Sequence, residues 1–174
     1  FTGVLYRYFT EEREKRATRA AFSRYVSGAV VEEILKDQSK LRLGGQKKEL
    51  TVMFVDLVEF TKLSEPLDAA FVTQLLNEYF TRMTNILLRN QGTLDKYMGD
   101  AIMCFWGAPL ENPDHARLAC LTALDQLKQL EAFNQTLPDL VGLRNGLPTV
   151  NMRVGITTGD VTVGSIGSEA SKGY

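Results

Sequence analysis

The sequence is poor in the side chains that most often build metal centres and cross-links. Its 174 residues include one histidine, His115, and two cysteines, Cys104 and Cys120. A metal site with several histidine ligands is therefore excluded. Because both cysteines lie in apolar segments, we expect two buried free thiols rather than a disulfide or a metal-binding pair.

Neither sign of charge is in excess, and the sequence has no apolar run long enough to cross a membrane. It contains 20 basic and 21 acidic residues, for a net charge of −1. This balance gives no indication of a nucleic-acid partner, and we expect none. The length and the apolar fraction are typical of one soluble globular domain with a proper core.

The first 45 residues predict a helical, signal-transducing connector. Residues 8–25 are good helix formers without glycine or proline, and residues 29–37 predict a second short helix. The opening FTGVLYRYF changes abruptly into EEREKRATR. That change fits the inner end of a membrane helix and an ordinary amphipathic linker equally well. Since the chain does not begin with methionine, we expect a piece of a larger protein, membrane-anchored upstream of residue 1, with this part at the cytoplasmic face.

Residues 46–174 predict one α+β domain. LTVMFVD, residues 50–56, indicates a strand buried on both faces. A long amphipathic helix follows, with Ser64 and Pro66 as its start signals and its end near Gly92. Two short strands, Thr93–Met98 and Ala101–Trp106, then flank a tight turn at Gly99–Asp100.

The remaining segments complete a recognisable order of elements. A second helix starts at Asn112–Pro113, and residues 134–148 predict a loop. VNMRVGITTGDVTVGSIG then indicates a strand, a turn at residues 158–160, and another strand. The order β-α-β-β-α-β is the ferredoxin-like pattern, in which the first strand lies antiparallel beside the third. This fold hosts many functions and indicates none by itself.

This topology brings two acidic residues together. Asp56 ends the first strand, and Asp100 stands where the third strand begins. Because these strands are antiparallel neighbours, both carboxylates should lie at one rim of the sheet. Such a pair repels unless a proton or a cation lies between its members, and magnesium often takes one or two protein carboxylates plus phosphate oxygens. The alternative is that Asp100 is only a good turn residue.

Polar and basic residues near the two aspartates extend the candidate site. Thr61 and Ser64 precede a helix N-terminus, where they could hold phosphate oxygens or merely cap the helix. Lys96, four residues before Asp100, could form a salt bridge with either aspartate, or it could read a base or a phosphate. The residue chemistry alone does not choose between these roles.

Three segments together resemble the catalytic domain of class III nucleotidyl cyclases, the adenylate and guanylate cyclase family. They are FVDLVEFTKLS, LDKYMGDAIMCFWGAP and MRVGITTGDVTVGSIGS, and the resemblance runs from about Glu49 to the end. RYVSGAVVEEIL also resembles the segment that precedes this domain in bacterial membrane-bound adenylate cyclases. The resemblance implies that Asp56, Asp100 and the backbone carbonyl of Leu57 bind two Mg²⁺ or Mn²⁺ ions.

The same resemblance implies a substrate and an assembly. The turn around Phe60 and Thr61 would hold the triphosphate, and Lys96 would read adenine, since guanylate cyclases usually have glutamate there. The expected reaction converts ATP to 3′,5′-cyclic AMP and pyrophosphate in a signalling pathway. Family members act as dimers, so a homodimer would have two equivalent sites, with aspartates from one protomer and Lys96 from the other.

Two features depart from the family. Glu59 stands where glycine is common, which should weaken triphosphate binding unless its side chain points outward. The chain also ends at Tyr174, before the family's second adenine-reading residue, ribose-orienting asparagine and transition-state arginine, so we expect a chain with this end to be catalytically weak or inactive.

The alternatives are a guanylate cyclase, against which Lys96 argues, and a degenerate domain that serves dimerisation or regulation. A diguanylate cyclase would share the fold, but YMGDAI lacks its hairpin motif.

Overall fold

The polypeptide alternates strands and helices in the order expected from the sequence. A computed structural model describes residue 31, residues 46–140 and 149–163, and the short segments 166–168 and 171–173. The predicted connector therefore lies outside the described residues, apart from Val31, which is helical and buried. The main strands are β1 (Gln46–Leu57), β2 (Thr93–Met98), β3 (Ala101–Trp106) and β4 (Met152–Val163), and the helices are α1 (Phe60–Ser64), α2 (Ala69–Arg89) and α3 (His115–Leu140).

The four main strands form one antiparallel sheet in the order β2-β3-β1-β4. This order is the ferredoxin-like arrangement, and it confirms the predicted fold class and the predicted contact between the first and third strands. Both strands of the β2–β3 hairpin have the predicted bounds. A separate two-stranded sheet, β5 (Ile166–Ser168) with β6 (Ser171–Gly173), follows β4.

Among the described residues the helices cover one face of the sheet, and the other face of β1 is partly exposed, so the prediction that β1 is buried on both faces was wrong. Met53, Val55 and Leu57 point into a core that they share with the buried residues of α2 and α3. Phe54, between them, faces the other way and is 42 % exposed. Both crossovers carry their helix to the same side because β-α-β connections share one hand. We call the helix-free side the outer face.

Predicted boundaries of both long helices also differ from the structure, and α3 begins at His115 rather than at Asn112–Pro113. The long helix α2 begins at Ala69, because the carboxylate of Asp68 accepts a hydrogen bond from the backbone N–H of Ala70 at 2.8 Å. Ser64 instead ends the short helix α1. Helix α3 continues through Pro138 to Leu140, where a loop was expected from residue 134. Burial of Phe133 and Leu137 against the core outweighs the cost of the proline.

Strand β4 runs without interruption through the predicted turn at residues 158–160. All twelve of its residues pair with β1, from Gln46↔Val163 to Leu57↔Met152. A ladder of this length outweighs the turn preference of Thr158–Gly159–Asp160. The ion pair between Lys47 Nζ and Asp160 Oδ2, at 2.8 Å, lies in the same stretch.

Both cysteines are free thiols, as expected, but only one is buried. Cys104 lies in the core of β3, and burial raises the pKa of its thiol. Cys120 is exposed on α3, which corrects the expectation of two buried thiols. Over the residues that the structure describes, no helix has the length and apolarity that a bilayer crossing requires.

A partly buried polar cluster joins β1, β4 and the start of α3. The Thr51 hydroxyl, fully buried, lies 2.7 Å from His115 Nδ1 and 2.7 Å from the hydroxyl of Thr158. The other ring nitrogen of His115 lies 3.5 Å from a carboxylate oxygen of Glu49. The one histidine of the chain is therefore a structural residue that ties α3 to the sheet.

Replacing Thr51 by valine should destabilise the domain by about 0.5–1.5 kcal/mol, because His115 and Thr158 each lose a partly buried hydrogen bond. The shapes are similar, so little packing is lost. Urea unfolding measures the change. Thr157→Val, at an exposed position of β4, is the control and should stay within about 0.5 kcal/mol. Equal stability of the two variants would show that the cluster contributes nothing.

Candidate active site

The structure brings Asp56 and Asp100 to one rim of the sheet. Val55 pairs with Ile102, so the end of β1 lies beside the turn that precedes β3. The backbone N–H of Leu57 donates to Oδ2 of Asp100 at 3.2 Å. Asp100 is held at the tip of the hairpin by Gly99, which has a left-handed backbone (φ 64°) that glycine adopts without strain.

The electrostatics of Asp100 show that the two carboxyl groups interact. Burial raises its pKa above the ordinary aspartate value, and the carboxyl of Asp56 raises it further through hydrogen bonding and charge. The backbone N–H groups of Asp100 and Leu57 act in the opposite direction. Negative charge is therefore costly on Asp100, and a cation beside it would lower that cost.

Arg153, on β4, supplies one positive group at this rim. It is the cross-strand partner of Asp56, and its Nε and Nη2 atoms donate to Oδ2 of Asp56 at 2.8 and 2.5 Å. The arginine side chain is 71 % exposed, while that of Asp56 is 30 % exposed. The guanidinium group can therefore reach a ligand in solution while it stays beside the carboxylate.

Tyr79 lies beneath the rim, on the inner side of α2. Its side chain is fully buried, and among the described residues its hydroxyl has no hydrogen-bond partner. Burial raises the pKa of this phenol, and the charges of Asp100 and Asp56 raise it further. Tyr79 thus remains a neutral donor close to the two carboxylates.

The turn between β1 and α2 has an unusual backbone at Glu59. This residue has a left-handed conformation (φ 55°, ψ 33°), in which a side chain is strained and glycine is not. The Glu59 carboxylate accepts a hydrogen bond from Lys62 Nζ at 2.6 Å, and this bond and the lysine charge lower the pKa of Glu59. The negative charge is therefore present at neutral pH, but it is paired.

Phe60 and Thr61 form the first turn of α1, immediately after Glu59. Phe60 packs against the core, and Thr61 is exposed. The carbonyl oxygen of Thr61 accepts hydrogen bonds from the Ser64 hydroxyl and from the backbone N–H of Glu65. These bonds close the short helix itself, and its start three residues after Leu57 places the exposed side chain of Thr61 near the end of β1.

Lys96 lies on the outer face and is not bonded to either rim aspartate. Its ammonium group is 3.1 Å from Oδ2 of Asp95, its neighbour in the chain. Across the sheet, Lys96 pairs with Met103, and Met103 pairs with Phe54. Lys96 therefore forms a salt bridge with Asp95, and not with Asp56 or Asp100 as the sequence had allowed.

The donor set suits a hard cation. In the described part of the chain, no group of three or more histidine, cysteine, aspartate and glutamate side chains could hold a metal ion. The rim offers two carboxylates, which matches the one or two that magnesium takes when water and phosphate supply its other ligands. Oxygen donors and a raised carboxyl pKa thus fit a nucleotide-bound Mg²⁺ or Mn²⁺ site.

Three residues of the site were missed by sequence reasoning. Arg153 lies within the MRVGITTGD segment, and a long antiparallel partner for β1 would have placed it opposite Asp56. Tyr79 was counted only as part of an apolar helix face. Asp95 gave no local signal, since its position depends on the pairing of β2 with β3.

The chain matches a family model described as the adenylate and guanylate cyclase catalytic domain, over residues 44–174. It is 35 % identical over 128 residues to adenylate cyclase 1 of Rhizobium meliloti (strain 1021), a match that covers 74 % of this chain and 18 % of that protein. The chain thus spans less than a fifth of the length of that relative.

Two solved structures are similar in fold and sequence. The guanylyl cyclase Cya2 has a TM-score of 0.69 and 37 % identity, over 75 % of this chain and 64 % of its own. The adenylyl cyclase CyaB from P. aeruginosa has a TM-score of 0.70 and 36 % identity, over 76 % of this chain and 66 % of its own. The two are equally similar, so overall likeness does not distinguish ATP from GTP.

Proposed function

This chain belongs to the family of adenylate and guanylate cyclase catalytic domains, and on that premise we propose that it converts ATP to 3′,5′-cyclic AMP and pyrophosphate. The observation that carries the proposal is the meeting of Asp56 and Asp100 at one rim, from positions 44 residues apart in sequence. Lys96 supports ATP over GTP. A lysine only donates hydrogen bonds, and N1 of adenine accepts one where N1 of guanine carries a proton.

The rim would hold two Mg²⁺ or Mn²⁺ ions through the carboxylates of Asp56 and Asp100 and the carbonyl of Leu57. When bound, such ions supply charge stabilisation and a more acidic ribose hydroxyl. The hydrogen bond from the Leu57 N–H to Asp100 orients one carboxylate, and Arg153 orients the other. Two aspartates so fixed need no reorganisation as the reaction proceeds.

The chain's own side chains would position the nucleotide. The turn at Phe60 and Thr61 and the exposed guanidinium of Arg153 flank the rim and are suited to triphosphate oxygens. In the reaction, the ribose 3′ oxygen bonds to the α-phosphorus and loses its proton to solvent. The bond from the α-phosphorus to the bridging oxygen breaks, and pyrophosphate leaves. Positioning and electrostatics would carry most of the rate.

A second copy of the domain would complete each site. The outer face has no helix over it in the described residues, and Phe54 is exposed in the same cross-strand row as Lys96. Exposed aromatic residues on an open sheet face are suited to a protein interface. We therefore place Lys96 of one protomer in the site whose aspartates belong to its partner.

The test is direct. The full-length gene product is incubated with ATP or GTP and with Mg²⁺ or Mn²⁺, and the products are separated by chromatography. Cyclic AMP with an equal amount of pyrophosphate, and a higher kcat/KM for ATP, is the expected result. A preference for GTP would indicate the guanylate cyclase alternative. No product, and no thermal shift with either nucleotide and Mn²⁺, would indicate a dimerisation or regulatory module.

Replacing Glu59 by glycine should improve nucleotide binding. Glycine relaxes the left-handed backbone and removes a negative charge next to the triphosphate turn. We expect the KM for ATP to fall about two- to fivefold, with little change in kcat. Lys62→Ala is the matched control: it leaves the Glu59 charge unpaired, so its KM should rise. A higher KM for Glu59→Gly would show that the side chain assists the turn.

Other expectations stay predictions. They are the weak activity of a chain that ends at Tyr174, the connector at residues 1–45 as a device that sets dimer geometry, the domain boundary at residue 46, and the location at the cytoplasmic face of a membrane. Deleting residues 8–45 tests the connector, because unchanged dimerisation and activity would refute that role.

A further inference from the structure

A β-bulge sits in β2 immediately before Lys96. Leu94 pairs with Cys104 and Lys96 pairs with Met103, so Asp95 is an extra residue without a partner of its own on β3. Successive side chains of a regular strand point to opposite faces. The inserted residue breaks that alternation, and a bulge commonly re-aims a side chain in this way.

The bulge has two consequences for Lys96. Had β2 been regular, Asp95 would have paired with Met103, and Lys96 would have pointed toward the helices. The bulge instead places Lys96 opposite Met103, in the row of the outer face that contains Phe54. It also lets neighbours in sequence meet, with Lys96 Nζ 3.1 Å from Oδ2 of Asp95.

The two partners of this ion pair differ in exposure. The Asp95 side chain is only 6 % exposed, whereas that of Lys96 is 49 % exposed. The carboxylate is therefore largely shielded from water, and the exposed ammonium group, which has three donors, keeps two of them for a ligand in solution. A free lysine side chain has many rotamers, and ordering it on binding costs affinity.

We propose that Asp95 is a positioning residue that holds Lys96 ready to read the nucleotide base. This inference rests on the proposed function of Lys96. Asp95 does not contact the substrate; it orders the lysine before binding, and its bulge directs that lysine to the outer face. Base selectivity would then be a property of the Asp95–Lys96 pair rather than of the lysine alone.

The test compares Asp95→Asn, Lys96→Ala and the double variant in the full-length gene product. Asparagine keeps the shape and removes the charge. We expect Asp95→Asn to lower the ratio of kcat/KM for ATP to that for GTP by about three- to tenfold, mainly through KM. In the Lys96→Ala background, the same change should have no further effect on the ratio. Asp95→Glu, which keeps a carboxylate, should retain more of the preference.

Asp160→Asn is the matched control, because Asp160 forms an exposed ion pair with Lys47 on another strand of the sheet. It should leave the ratio unchanged. A readout independent of activity is the acylation rate of each lysine by an N-hydroxysuccinimide ester, followed by mass spectrometry. Asp95→Asn should raise the rate at Lys96 and not at Lys47.

The outcomes separate the two proposals. If Lys96→Ala lowers the nucleotide ratio and Asp95→Asn does not, the positioning role is overturned and the proposed function stands. An equal effect of Asp95→Asn with and without Lys96 would also overturn it, since the aspartate would then act by another route. If Lys96→Ala leaves the ratio unchanged, base reading by Lys96 fails, and the role of Asp95 fails with it.

Discussion

Asp56→Asn in the full-length gene product is expected to lower kcat for cyclic AMP formation by about 100- to 1,000-fold, because the rim loses one of the two carboxylates proposed to hold the metal ions. Asparagine has nearly the same volume as aspartate, and Asp56 lies near the end of β1 at the rim of the sheet, so the fold should survive. The loss should persist at saturating ATP, which distinguishes it from weaker substrate binding. Initial rates over a range of ATP and Mn²⁺ concentrations measure it.

Two comparisons make the result for Asp56 specific. Asp100→Asn should have an effect of similar size, since the two carboxylates form one site, and Asp56→Asn combined with Asp100→Asn should cost little more than either change alone. Asp160→Asn, at the other end of the β1–β4 ladder, should retain full activity. A fully active Asp56→Asn variant would contradict the assignment of the rim as the metal site.

Lys96→Ala should lower kcat/KM for ATP by about 10- to 100-fold, the effect of losing one hydrogen bond to a charged group. The value for GTP should change much less, because the lysine is proposed to read the base and not the phosphates. Parallel measurements with both nucleotides give the answer. Lys47→Ala, which also removes a strand lysine from an exposed ion pair, is the control and should have no effect.

Equal losses of kcat/KM for ATP and GTP in Lys96→Ala would contradict base reading.

Mixing the Asp56→Asn and Lys96→Ala proteins tests the proposed sharing of sites between protomers. In a two-fold dimer each mixed pair has one intact site, so random exchange should restore about a quarter of the activity. No recovery, with subunit exchange verified, would place both residues in the same protomer's site.

The sequence was a good guide where structure is local. The bounds of β2 and β3 and the turn at Gly99–Asp100 follow from β-rich runs around a Gly–Asp pair, and the structure has them at the predicted residues. The meeting of Asp56 with Asp100 followed from one topological rule, that the first and third strands are neighbours. That prediction needed the order of elements and not their detailed packing.

The features that were missed depend on distant partners. The turn preference of Thr158–Gly159–Asp160 was outweighed by a twelve-residue ladder with β1, and Pro138 by the burial of its neighbours in α3. The bulge at Asp95 exists only relative to β3, so no property of residues 93–98 alone reveals it. Arg153 reaches Asp56 for the same reason, since their pairing is fixed across almost a hundred positions.

The two halves of the proposed site therefore have different folding requirements. Lys96, Asp95 and Asp100 lie on a hairpin whose strands are close in sequence, and a hairpin can form within microseconds. Asp56 meets Asp100 only when β1 has paired with β3, and it meets Arg153, 97 positions away, only when β1 has paired with β4. Such contacts form late and raise the contact order. A chain that forms the hairpin without pairing it to β1 would accordingly present Lys96 and Asp100 without Asp56, and the proposed metal site would be incomplete. Amide hydrogens in the β1 ladders should therefore exchange through larger openings than those of the β2–β3 hairpin.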